Sequence, residues 1–209
     1  HTLINQYFIK VMKKITPFFI TLLLLFISQT ITSQSIVINE VVASNSTINQ
    51  DEDGSYQDWI EIRNNGATAV NLNNFGLSDD PVLPFKWTFP NISIGAGQYL
   101  LIWCSDKDRA VAGSPLHTNY KLSSAGETIT ITNDAGVTLN TVTTPAMLQN
   151  ISYGRIPNGT GSFMFFNAVT PAAANGTVAY TEALSPPTFS QESGVLSAGF
   201  NLTLSTTVP

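Results

Sequence analysis

Two strand-like runs near the start of the chain, Ile36–Val42 and Asp58–Asn64, constrain its fold more than any other feature. In the second run Ile60 and Ile62 fall on one side of an extended chain, and charged or larger side chains fall on the other. This period of two is what a half-buried β-strand requires. The first run is apolar on both faces, which indicates an inner strand of a sheet.

Short apolar runs separated by turn residues continue along the chain, and no long stretch has helical periodicity. Between two of them lies Asn133-Asp134-Ala135-Gly136, a hairpin signal with its glycine late in the turn. Many short strands without intervening helices predict an all-β fold, an antiparallel β-sandwich. A closed barrel is the alternative, because spacing alone does not separate the two. The further runs are Ala69–Leu72, Phe75–Leu77, Lys86–Phe89, Gln98–Cys104, Thr128–Thr132, Val137–Val142 and Phe163–Phe166.

The first 33 residues have the pattern of a secretory signal peptide. The sequence begins with His1, and we expect Met12 to be the true start. Two lysines follow Met12, then the largely apolar Ile15–Ile27, and Ser33 supplies a small residue before the cut. The apolar stretch is too short to span a bilayer comfortably, although an uncleaved membrane anchor is the alternative. We therefore expect a secreted or cell-surface protein with no membrane span after cleavage.

Cleavage would leave a strongly acidic chain. It removes Lys10, Lys13 and Lys14, so that six basic residues face the 14 acidic ones. Such a surface repels phosphate backbones, so no direct contact with nucleic acid is expected. The expected partner is a protein or polysaccharide of the cell envelope or the extracellular space.

Cys104 is the only cysteine, so no intramolecular disulfide is available. It ends Tyr99–Cys104, an apolar run that reads as a central strand. We therefore predict a buried Cys104 that acts as a small hydrophobic side chain and not as a reactive thiol.

An acidic, turn-rich segment between the first two strands is the candidate metal site. Asp51, Asp53 and Asp58 supply carboxylates of the kind that Ca²⁺ prefers, and Ca²⁺ is the only cofactor predicted. The spacing is not that of an EF-hand, because the twelfth position counted from Asp51 is Ile62 rather than Glu. An ordinary solvated loop of turn-forming residues is the alternative.

A polar network is the second candidate site. If the first two strands pair, Asn39 and Glu40 meet Glu61 near a strand end, where they can satisfy one another's hydrogen bonds. The planar guanidinium of Arg155 suits a bidentate pair with a carboxylate, and Glu40 or Glu61 is the candidate partner.

Catalysis has little support in the sequence, and no catalytic residue is predicted. After cleavage the remaining histidine is His117, expected in an exposed loop, and no G-x-S-x-G motif is present. Paired zinc ligands and a phosphate-binding glycine loop are also missing from the sequence. Among the tryptophans we expect Trp59 to be partly exposed, and Trp87 and Trp103 to be buried.

Seven ordered landmarks give the chain a resemblance to the bacterial lamin-tail domain over about residues 35–176. This resemblance implies an immunoglobulin-like β-sandwich and a non-catalytic binding or structural module of a larger secreted or surface protein. The landmarks are Ile38-Asn39-Glu40, Asp58-Trp59-Ile60-Glu61-Ile62, Leu77-Ser78-Asp79, Trp87 with Phe89-Pro90, Lys121-Leu122-Ser123 with Gly126-Glu127, Ser152-Tyr153-Gly154-Arg155, and Thr170-Pro171 with Asn175.

The chain changes character after Gly176. Residues 177–187 read as a linker, and residues 188–209 are similar to the opening strands of the β-sandwich at the C-terminus of chitobiase-type glycosidases. This second resemblance implies that the natural protein continues past Pro209. The alternative function follows from it: an accessory N-terminal part of a secreted enzyme whose catalytic domain lies beyond Pro209. Kinases similar to spore-coat protein H, nucleases or phosphoesterases, and glycosidases are the candidate enzymes.

Overall fold

A computed structural model describes residues 35–184, 187–190, 199 and 201–205. These residues form fourteen strands and no helix, so the all-β prediction is confirmed. No helix that could span a membrane is found in these ranges. The predicted signal peptide lies outside the described residues, as does most of the predicted second domain.

The strands vary from two to seven residues in length. In chain order they are β1 Ile36–Val42, β2 Asp58–Asn64, β3 Val70–Asn71, β4 Gly76–Ser78, β5 Trp87–Thr88, β6 Ser93–Ile94, β7 Tyr99–Cys104, β8 Leu116–His117, β9 Thr128–Thr132, β10 Thr138–Thr143, β11 Ser152–Ile156, β12 Ser162–Phe166, β13 Thr188–Phe189 and β14 Leu204–Ser205.

Two large sheets make up the sandwich. The six-stranded sheet has the order β12-β11-β1-β2-β7-β8, and the four-stranded sheet has the order β10-β9-β4-β5. Each has two edge strands, as expected for a sandwich rather than a closed barrel. Neighbours are antiparallel except β7 and β8, which run parallel. The pairs β3–β6 and β13–β14 form two small additional sheets in the described residues.

The inner faces of the two large sheets share one hydrophobic core. Ile60 and Ile62 of β2 point into it, as their alternation predicts, and Ile129 and Ile131 of β9 meet them from the other sheet. Cys104 is also part of this core and fully buried, which confirms its predicted burial.

The outer face of β2 is also covered, and this corrects a prediction. Trp59 is fully buried in a second cluster with Val42 and Trp103. Ile48 from the loop after β1 and Val169 from beyond β12 pack against this cluster. The partial exposure predicted for Trp59 is therefore wrong, because segments distant in sequence cover the face that alternation assigns to solvent.

A β-bulge interrupts β1 at Asn39. Ile38 pairs with Ile62 and Glu40 pairs with Glu61, which leaves Asn39 as an extra residue opposite β2. The extra residue reverses the alternation, so that Ile38 and Val41 both reach the inner core. Asn39 and Glu40 are consequently placed on the outer face, beside Glu61.

The C-terminal part of the described chain returns to the six-stranded sheet. β11 pairs with β1, and β12 pairs with β11. Tyr180 forms a bridge to Phe165 of β12, with its amide 2.9 Å from the Phe165 carbonyl oxygen. Part of the segment predicted as a linker is therefore hydrogen-bonded to the edge of the sandwich.

Candidate functional site

The residues around the β1 bulge form a polar cluster that is buried or partly buried, here called the bulge network. Its members are Asn39, Glu40, Glu61, Ser152, Asn158, Thr170 and Asn175.

Asn39 stands at its centre. The Asn39 Nδ2 group lies 2.9 Å from Glu61 Oε1, 3.2 Å from Asn158 Oδ1 and 3.3 Å from Asn175 Oδ1. On its other side, Asn39 Oδ1 accepts the Gly159 amide at 2.8 Å, which fixes the orientation of the side chain. The bulge thus brings together Asn39 and Glu61, which the sequence also groups.

Glu40 binds hydroxyl groups from two other segments. Its Oε1 accepts a hydrogen bond from Ser152 Oγ on β11. Its Oε2 accepts from Thr170, through Oγ1 at 3.0 Å and the amide nitrogen at 3.3 Å. Burial raises the pKa of Glu40, and these hydrogen bonds only partly oppose the rise.

Glu61 is the most perturbed carboxylic acid of the network. The residue is 0% exposed, and burial, reinforced by the neighbouring Glu40 charge, raises its pKa to about 8. The hydrogen bond from Asn39 and the nearby amides of Ala172 and Ala173 act in the opposite direction. Glu61 Oε2 is buried without a hydrogen-bond partner in the described part of the chain.

Asn175 ties three segments together. Its Nδ2 group donates to the Arg155 carbonyl at 2.9 Å and to the Asn39 carbonyl at 3.2 Å. Gly154 makes this approach possible, because a Cβ atom there would lie 2.6 Å from Asn175 Nδ2. The sequence predictions omit Ser152, Asn158, Thr170 and Asn175 as network members. The one feature of the sequence that pointed to three of them is that Ser152, Thr170 and Asn175 belong to the landmarks of the family resemblance.

Arg155 does not pair with either carboxylate, which corrects the sequence prediction. Its Nε donates to the Ile38 carbonyl at 2.8 Å, its Nη1 to the Gly161 carbonyl at 2.9 Å and its Nη2 to Asn140 Oδ1 at 3.2 Å. The preceding Gly154 faces the bulge network, so in a pleated strand Arg155 points to the opposite side. Its guanidinium links β1 to β10 of the other sheet.

The acidic segment folds into a partly exposed cluster of ion pairs, here called the acidic loop (residues 51–53 with Lys107 and Arg109), in which Asp51 is buried. Lys107 Nζ contacts Asp51 and lies 2.7 Å from Asp53 Oδ2. Arg109 contacts Glu52 and Asp53, both at 2.7 Å. Hydrogen bonds from Arg109 and Lys107 lower the pKa of Asp53 to about 2.

The three predicted calcium ligands do not form one site. Asp51 Oδ1 accepts the amides of Asp53 and Ser55, so its role is to shape the turn. Asp58 lies apart, accepting the Asn45 amide at 3.0 Å, and burial raises its pKa. Within the described ranges no group of three or more His, Cys, Asp or Glu residues could hold a metal ion. The cationic groups of Lys107 and Arg109 occupy the position that the sequence assigns to Ca²⁺.

His117 lies in β8 rather than in an exposed loop, and its side chain is 0% exposed. Its backbone pairs with Arg109, and its ring stacks on Trp103. His117 Nδ1 lies 2.7 Å from Ser105 Oγ, and Nε2 lies 3.0 Å from both carboxylate oxygens of Glu52. The predicted exposure of His117 is wrong, because the two-residue β8 is too short to show a period.

This Ser–His–Glu order resembles a hydrolytic triad, but its serine is enclosed. Ser105 is only 5% exposed. A nearby groove of about 420 Å³ has Glu52 and Arg109 in its wall but neither Ser105 nor His117. A nucleophile must reach the reacting carbon of its substrate, so the arrangement as described serves packing and hydrogen bonding.

A family model described as Lamin Tail Domain matches residues 29–146, a range that contains the bulge of β1 and the acidic loop and ends before β11. No curated protein matches the chain.

Proposed function

Since the matched range is more than half of the sequence, the chain belongs to the lamin tail domain family, and we propose that it is a non-catalytic structural and binding module of a larger secreted or cell-surface protein. Its fold is the immunoglobulin-like β-sandwich of that family. In this proposal the sandwich presents its loops to an extracellular or envelope protein or polysaccharide.

One observation carries the non-catalytic part of the proposal. The serine, the histidine and the two carboxylic acids that come closest to a catalytic arrangement in the described residues are closed off from solvent. Ser105 and His117 are buried together, and Glu40 and Glu61 lie at 0% exposure beneath the segment that follows β12. Carboxylates, a serine and a histidine in such positions support a fold, because no substrate atom can approach them.

Turnover assays test this part. Protein produced from the 209-residue sequence should hydrolyse neither p-nitrophenyl acetate nor bis(p-nitrophenyl) phosphate above the buffer rate. The Ser105→Ala variant should behave identically, since Ser105 has only a structural role. Hydrolysis that disappears in the Ser105→Ala variant would overturn the proposal.

The extracellular part of the proposal needs its own test. It is supported by the pattern of residues 1–33, a positive start followed by an apolar stretch and a small residue. A fusion of residues 1–34 to an alkaline phosphatase without its own leader should give activity outside the cytoplasm. Phosphatase retained inside the cell would count against export.

The finer question is what kind of protein carries the module. If a longer natural protein phosphorylates, cleaves phosphodiesters or hydrolyses glycosides while the 209-residue chain does not, the module is an accessory part of a secreted enzyme. If the longer protein is also inactive, the module belongs to a structural surface protein.

A further inference from the structure

The segment after β12 lies across the outer face of the six-stranded sheet, and we call residues 167–176 the strap. Thr170 and Asn175 fasten it to the bulge network. Val169 packs against the Trp59 cluster. Ala172 has a φ of 59°, in the left-handed region that a residue with a Cβ atom adopts at a cost. The strap therefore depends on its contacts with the bulge network to hold this conformation.

At the centre of the network beneath the strap, one donor group faces more acceptors than it can satisfy. The single Nδ2 group of Asn39 faces three oxygens but carries only two hydrogens. Glu61 Oε2 is buried without a hydrogen-bond partner among the described residues, although the amides of Ala172 and Ala173 lie near the carboxylate. The four carboxylate oxygens of Glu40 and Glu61 are enclosed together on one face, where two negative charges would repel strongly.

No cationic group in the described elements around the pair neutralises it. The strap itself contains no ionisable side chain. On β11, the Arg155 guanidinium points away towards β10. On β2, Arg63 donates to Asn65 and lies over the Tyr99 ring. On β7, the residue opposite Glu61 is Leu101.

We propose that a proton bound within the Glu40–Glu61 pair fastens the strap, so that the strap loosens as the pH rises while the sandwich core stays folded. The proton turns one acceptor oxygen into a donor and removes one of the two buried charges. The proton thereby supplies a donor where Asn39 cannot satisfy every oxygen, and it compensates for the lack of a cation beside the two carboxylates.

The direction of the pH effect follows from proton linkage. The pKa of Glu61 is about 8 with the strap closed, against an ordinary value of 4.5 for a solvated glutamate. The closed strap is fully favoured below the ordinary value, and it weakens as the pH rises from there to about 8. Above that pH both forms are ionised, and no further weakening comes from Glu61. Within the window, opening increases by up to about tenfold per pH unit.

Hydrogen exchange measured by mass spectrometry on protein from the 209-residue sequence tests the proposal. Protection factors, which correct for the intrinsic pH dependence of exchange, should fall at least about tenfold in strap peptides between pH 5 and pH 8. Peptides from Thr128–Thr132 in the opposite sheet should not change. In Glu61→Gln, whose side chain cannot ionise, the fall should be at least about fivefold smaller. Glu52→Gln, which removes a carboxylate from the acidic loop, is the matched control and should respond like the unmodified protein.

Two results would overturn the proposal. One is a strap whose protection in the unmodified protein is the same at pH 5 and pH 8. The other is an equal fall in the unmodified protein and in Glu61→Gln. Should that variant not fold, ¹³C labelling of the glutamate carboxyl groups decides the question. A carboxyl assigned to Glu40 or Glu61 that titrates above pH 6 supports the proposal, and titration of both at ordinary pH contradicts it.

Discussion

The bulge network and the acidic loop both contain carboxylic acids, but the pKa of these acids is shifted in opposite directions in the two regions. In the bulge network Glu40 and Glu61 are buried with neutral partners, and burial raises the pKa of both. In the acidic loop Asp53 lies at the surface between Arg109 and Lys107, whose hydrogen bonds lower its pKa. Solvent access and the charge of the partner, rather than the identity of the acid, decide the direction.

Because of this difference, we expect the two regions to contribute unequally to the stability of the fold. A buried polar group that loses its partner pays the full cost of desolvation, whereas an exposed ion pair that is broken is replaced by water. The acidic loop is conspicuous in the sequence, yet we expect the stability of the fold to depend on the bulge network.

The largest effect is expected from Asn39→Ala. The substitution leaves Glu61 Oε1 and the Gly159 amide without the partner that Asn39 provides. Two orphaned buried groups should lower the free energy of unfolding by about 4 kcal/mol. Urea denaturation measures this change. Asn91→Ala, which alters an exposed asparagine, is the control, and equal losses in the two variants would remove the contrast between the regions.

Glu61→Gln should stabilise the protein in a pH-dependent way. The native state of the unmodified protein loses stability as the pH rises from about 4.5 to about 8, since folding holds the Glu61 proton. The full shift corresponds to at most about 5 kcal/mol, and relaxation of the buried pair reduces the expected gain to about 3 kcal/mol at pH 8. At pH 4 the gain should vanish. A gain of equal size at both pH values would show that Glu61 does not titrate in this way.

Gly154→Ala should cost about 2 kcal/mol, because the new Cβ displaces the Asn175 amide from its two carbonyl partners. Gly176→Ala is the matched control, since a Cβ atom there meets nothing within 4 Å. Thermal melting of the two variants gives the comparison. If Gly154→Ala melts like the unmodified protein, the close approach of Asn175 is not required.

Asp53→Asn in the acidic loop should leave the midpoint of urea denaturation unchanged within the scatter of repeated measurements. Its carboxylate is exposed, and its contacts with Lys107 and Arg109 are screened by solvent and salt. A marked loss of stability would show that the acidic loop contributes to the free energy of unfolding as the bulge network does.

The smallest effect is expected from calcium. Melting curves recorded with millimolar Ca²⁺ and with a chelator should agree within about 1 °C, because binding to the native state alone would raise the melting temperature. Lys107 and Arg109 already pair with the three carboxylates of the acidic loop. A clear rise with Ca²⁺ that Asp51→Asn abolishes would restore the metal site that the sequence predicts.

Short-range periodicity was sufficient for part of the fold. The bounds of β1, β2 and β9 coincide with the runs Ile36–Val42, Asp58–Asn64 and Thr128–Thr132, where alternation or continuous apolar character is clear. β6 and β8 were missed because two residues show no period. β11 was missed as a strand because Gly154 and Arg155 interrupt its apolar pattern.

The site was harder to predict, because its partners lie far apart in the chain. Asn39 meets Asn175 across 136 positions, and Glu40 meets Thr170 across 130. The grouping of Asn39 with Glu61 succeeded because adjacent strands bring these residues together. Burial of Trp59 and His117 depends on cover from distant segments, so local alternation assigned Trp59 to solvent and the lack of any period around His117 assigned it to an exposed loop.

Because of its additional residue, β1 contacts the hydrophobic core with one face and presents Asn39 and Glu40 to the strap with the other. Side chains at even positions before Asn39 point into the hydrophobic core, and after Asn39 those at odd positions do so. Deleting Asn39 would restore a uniform pleat in which Glu40 still faces outwards and Val41 still faces the core, but it would remove the side chain that bonds Glu61 Oε1 and the Gly159 amide. The extra residue is therefore required by the bulge network rather than by the hydrophobic core, because it alone supplies the Asn39 side chain to that network.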